Sequence, residues 1–162
     1  MRASLISVLL LSSCFLYGSR MVGDELPKHR YQQEIQFSPV PMGHKFKLNG
    51  KISLPLEQAG KLSNPSGIAL YEKAGHGWTK TAEFPFSGYD AKYKQLLFNG
   101  ELKLSQSDQP FALHFTAVHC HQTGRGLCVI DHFQGIVGRN AKAKTDSLDF
   151  SLIASDPKTY NH

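Results

Sequence analysis

The 162-residue chain is poor in charge: Asp, Glu, Lys and Arg make up 19% of it, and no run of five like charges occurs. Binding a polyanion needs a concentrated basic face, so a net charge of +5 spread along the chain does not point to nucleic acid. Phosphate-cradling glycine loops, zinc-finger spacings and a Gly-x-Ser-x-Gly nucleophile motif are all missing, and no cofactor is expected. Beyond the first 19 residues no segment approaches 18 consecutive apolar residues, so no spanning helix is expected there. Tryptophan occurs once and cysteine three times. What remains, 41% hydrophobic residues over this length, suits one domain with one core and excludes a disordered chain.

Residues 1–19 read as an address. Arg2 supplies a positive charge, and residues 5–11 form a short apolar run of the length of a secretory h-region. The tetrad Leu11-Ser12-Ser13-Cys14 resembles the lipobox of bacterial lipoproteins, in which the cysteine is diacylated and becomes the new N-terminus. That resemblance implies Cys14 as the lipidation site and a membrane anchor in the periplasm or cell envelope. Residues 15–18 prolong the apolar run, so a plain signal peptide cut near Gly18 or Ser19 and an uncleaved anchor stay open. Either cleavage leaves Cys120 and Cys128, and in an oxidising compartment two thiols with seven residues between them are expected to pair.

Residues 20–30, polar and carrying Pro27, are expected to be a tether, and residues 31–155 the domain, with 156–162 as a tail. Within the domain a two-residue period dominates. Phe46, Leu48, Ile52 and Leu54 alternate with Lys47, Asn49, Lys51 and Ser53. Similar alternation runs through residues 98–104, 111–116 and 148–152, and shorter strand candidates lie at 33–37, 68–72, 80–84 and 129–137. Gly50 and Gly100 fall inside strands without breaking the phase, which predicts a bulge or close backbone approach in place of a hairpin turn. Only residues 56–62 tolerate a helix. Turn formers separate the runs, and the spacing predicts an all-β, immunoglobulin-like antiparallel sandwich of seven or eight strands.

Chemistry concentrates in residues 118–133, where two glycines make a hairpin and the cysteines stand at its shoulders. A bridge there closes a loop of about nine residues, worth roughly 2–3 kcal/mol by chain entropy, and as a staple it would need no further role. The sharper reading notes His119 and His121 beside Cys120 and Arg125 in the loop, because positive neighbours stabilise a thiolate and speed exchange. On a strand, however, both imidazoles point away from Cys120.

Residues 111–137, a strand, a cysteine, a glycine-bearing hairpin, a second cysteine and another strand, resemble the redox segment of the periplasmic N-terminal domain of DsbD-type thiol:disulfide interchange proteins. Residues 98–104 resemble the strand preceding it. The hairpin is also similar to one in the small β-domain ending some thioredoxin-like proteins with NHL repeats. The DsbD resemblance implies that Cys120 and Cys128 are the catalytic redox pair, taking electrons from a membrane electron carrier and passing them to thioredoxin-fold proteins. No Cys-x-x-Cys motif and no electron-carrying membrane domain is present, so those partners would act in trans.

His119, His121 and His132, with the two cysteines, offer five ligands for copper or zinc in fourteen residues, although His-Cys-His along one strand splits them between two faces. Asp131 and His132 have the residue types of a base and its orienter, yet neighbours on a strand point apart. Trp78, in a glycine-flanked stretch, is either a core residue or an exposed platform for a sugar or partner protein.

Overall fold

Alternation becomes strand pairing through much of the described chain. The computed structural model describes residues 22–23, 25–30, 32–121 and 128–156, which carry eleven strands and no helix. In chain order these are β1 (Val22–Gly23), β2 (Gln32–Glu34), β3 (Lys45–Ser53), β4 (Gln58–Gly60), β5 (Gly67–Ala74), β6 (Gly77–Phe84), β7 (Gly88–Asp90), β8 (Gln95–Lys103), β9 (Phe111–His121), β10 (Cys128–Val137) and β11 (Ser147–Ile153). One sheet runs β1-β6-β5-β9-β10-β2 with β4 also on β9, and the other runs β11-β3-β8-β7.

The fold is thus the expected all-β sandwich. Its strand count exceeds the expectation because β1, β2, β4 and β7 are two- or three-residue pieces too short for a periodic signal. Two pairings, β10 with β2 and β11 with β3, are parallel, so both sheets are mixed where a purely antiparallel sandwich was expected. The helix-tolerant stretch contains β4 instead. There Gly60 lets the backbone pass over Leu96, whose side chain lies 2.7 Å from where a Cβ would stand.

The core is the product of register. In the β3–β8 pair Phe46 faces Leu102, Leu48 faces Gly100, Gly50 faces Phe98 and Ile52 faces Leu96, so every even position of both strands turns inward. From the other sheet Leu70, Phe111, Leu113, Phe115 and Phe133 meet them, all at most 1% exposed. Each such side chain contributes about 1.5–3 kcal/mol on burial. Aromatic pairs cross between the sheets: Phe115 with Phe150 at 4.7 Å and Phe46 with Phe111 at 5.8 Å between ring centroids.

One carboxylate pins a loop to this frame. Glu72 on β5 is buried, and its Oε2 accepts hydrogen bonds from the Ser105 backbone N–H at 2.7 Å, the Ser105 hydroxyl at 2.6 Å and the Gln106 N–H at 3.2 Å. Burial pushes its pKa up, but hydrogen bonds from Ser105, Thr81 and Gln106 outweigh that and hold the carboxyl below its ordinary value. Glu72→Ala strands these donors, and urea unfolding should show a loss of about 1.5–3 kcal/mol. Because the folded pKa is depressed, the contribution is present above the ordinary carboxylate range and disappears as pH falls through the folded value.

Candidate functional site

β9 and β10 form a long antiparallel hairpin in which Cys120 lies directly opposite Cys128, and the two are joined as a disulfide with Cα atoms 4.1 Å apart. Strand alternation decides what surrounds it. Phe111, Leu113, Phe115, Ala117 and His119 turn toward the core, so His114, Thr116 and Cys120 turn to the outer face of the sheet. The sulfurs therefore belong to the outer face, at the end of the hairpin. Cys120 is half-buried between β10 and β4, where it faces Ala59, whereas Cys128 is exposed. Among the described residues β2 covers β10 only from His132 to Gln134, which leaves the edge at residues 128–131 without a neighbouring strand.

Beneath the disulfide, on the inner face, sits a polar group inside the core. His119 is 0% exposed, and its Nε2 lies 2.8 Å from Oδ2 of Asp131, itself 0% exposed. The same carboxylate oxygen accepts the Ser155 backbone N–H at 3.1 Å, and His119 Nδ1 lies 3.4 Å from Oε1 of Gln58, a buried residue of β4. Burial raises the Asp131 pKa, but the hydrogen bonds from His119 and Ser155 prevail and hold it below the ordinary carboxylate value. The segment after β11, the short strand β4 and the hairpin are thereby tied together under the sulfurs.

The remaining expected site residues do not converge there. His119 faces the interior, His121 lies with Nε2 3.6 Å from Glu57 Oε2 at the end of β9, and His132 is on the outer face with its Nδ1 3.4 Å from the Thr116 hydroxyl. The structure does not bring His119, His121 and His132 together: alternation separates His119 from His132, and Asp131 holds His119 in the core. Trp78 is not part of the buried core. It is half-buried on β6 and lines a hollow with Leu26, His29 and Gln134. Cys14 and Arg125 lie outside the described residues.

Sequence reasoning missed Gln58, because β4 has no periodic signal, and missed the partnership of His119 with Asp131. The second was recoverable. Setting Cys120 opposite Cys128 puts Ala117 opposite Asp131, and Asp131 then becomes the inward diagonal neighbour of His119. A search of family models finds no match for the chain, and a search of curated proteins finds none either.

Proposed function

We propose that the protein is an exported, lipid-anchored module of thiol:disulfide interchange, in which Cys120 and Cys128 exchange electrons with a thioredoxin-fold or membrane electron-carrier partner. The observation that carries this reading is an outer-face disulfide whose Cys128 side is exposed, at a stretch of β10 that no other described strand borders besides β9. A bridge serving only as a staple has no need of such access. The connectivity supports the immunoglobulin-like part of the proposal. β11-β3-β8-β7 follows the A-B-E-D order, with β11 in the place of strand A, and β6-β5-β9-β10 follows C′-C-F-G. The leader Leu11-Ser12-Ser13-Cys14 supports export and anchoring.

The exchange runs in two displacements. A thiolate of the reducing partner attacks Cys128 Sγ in line with the bridge, the bond to Cys120 breaks, and Cys120 leaves as a thiolate that takes a proton from water. A second thiolate of the partner then attacks the partner's own sulfur in the mixed disulfide and releases Cys128. The partner's dithiol becomes a disulfide, and this chain holds the two electrons as a dithiol to hand on by the reverse steps. Attack falls on Cys128 because β4 flanks Cys120.

Brief exposure of the folded, oxidised protein to a small thiol, followed by acid quench and peptide mapping, tests the assignment. The mixed disulfide is expected on Cys128 in excess of Cys120. Reduction that occurs only in denaturant would make the bridge an inert staple.

A further inference from the structure

On the outer face, away from the disulfide, three imidazoles from three separate stretches of chain meet. His132 of β10 lies opposite Thr116, which makes His114 of β9 its diagonal neighbour, with ring centroids 5.2 Å apart. His29, from the segment that leads into β2, lies over both, 3.6 Å from the His132 ring and 4.9 Å from that of His114. One ligand nitrogen from each of the three falls within 4.8 Å of the others.

A second observation concerns unmet polar atoms. His114 is only 6% exposed, and its Nε2 is buried without a hydrogen-bond partner. Oε1 of Gln134, the residue opposite His114, and Oε1 of Gln32, the residue opposite His132, are also buried and unpartnered. A buried polar atom left so is destabilising. An unprotonated ring nitrogen is an acceptor that a cation can satisfy, whereas the two glutamines line a neighbouring hollow with His29 and Trp78.

We propose that His29, His114 and His132 form a site for a divalent transition metal of the zinc or copper(II) class. Imidazole nitrogen suits both ions, and three histidines leave one position of a tetrahedron for water. At zinc–nitrogen distances of about 2.0–2.1 Å the nitrogens would stand about 3.3 Å apart. His29 is exposed, and its ring, now stacked face to face on His132, would have to turn for both rings to direct a nitrogen at one ion. Lys80 lines the same hollow as the three rings, but its ammonium is paired with Glu83 there.

Titration of the disulfide-intact protein with Zn(II), and separately with Cu(II), followed by calorimetry, tests the site. The intact bridge removes thiolate from the ligand pool, so the outcome is independent of the exchange reaction. One equivalent is expected to bind saturably, and His29→Ala and His132→Ala should each weaken it at least tenfold, while His121→Ala leaves it unchanged. Excess metal should raise the melting temperature of the parent protein but not of His29→Ala, whose metal-free melt reports its folding. No saturable uptake of either ion, or undiminished affinity in either of the two variants, overturns the site.

Discussion

Asp131→Ala is expected to lower stability by about 3–5 kcal/mol in urea or thermal unfolding, the largest effect of any single polar substitution here. The carboxylate is 0% exposed and accepts from His119 Nε2 at 2.8 Å and from the Ser155 N–H at 3.1 Å. Truncation leaves a fully buried imidazole and a partly buried backbone donor without their acceptor. Asp131→Asn keeps the volume and one acceptor oxygen, so it should cost less than Ala. The pH dependence follows in sign from the depressed folded pKa: the stabilisation is present above the ordinary carboxylate range and is lost as pH falls through the folded value. A melting temperature that drops by the same amount in Asp131→Ala and in an exposed control such as Asp149→Ala would contradict this role.

Gly50→Ala is expected to cost about 3 kcal/mol and to act on one strand. A Cβ at Gly50 would stand 2.3 Å from the backbone oxygen of Phe150 and 2.5 Å from its ring. Backbone cannot yield as a side-chain tip can, so β11 must move off β3. Complete detachment would expose Leu148 and Phe150, which are 3% and 7% exposed, at about 1.5–3 kcal/mol each; that sets the upper limit. Amide hydrogen exchange should quicken across Ser147–Ile153 and stay slow in β9. Uniform loss of protection, or none, would show that the close approach does not govern the strand.

Those two residues also mark how far the sequence could be read. The uninterrupted phase of Leu48, Gly50 and Ile52 predicted a bulge or a close approach at Gly50; the β3–β8 register is unshifted there, and the close approach is what is found. Long strands were legible because burial on one face writes a two-residue period, as in β8 and β11. The three-residue β4 carries no such period, and its place beside Cys120 depends on pairing across more than sixty residues. Parallel addition of β2 and β11 was equally invisible, since alternation reports which face is buried and is silent on strand direction. At the site, the pairing of Cys120 with Cys128 was expected from their number and spacing and is present. The histidines were the hardest to place. His119 became the buried partner of Asp131, and His29, which lies outside the expected domain, stacks on His132.

The most direct measurement is the reduction potential of the Cys120–Cys128 pair in the oxidised protein, equilibrated against glutathione or dithiothreitol buffers. An exchange module predicts a value within the span of cellular redox proteins, about −270 to −120 mV. A value below about −300 mV, where structural bridges lie, would contradict the account and leave the hairpin as a staple.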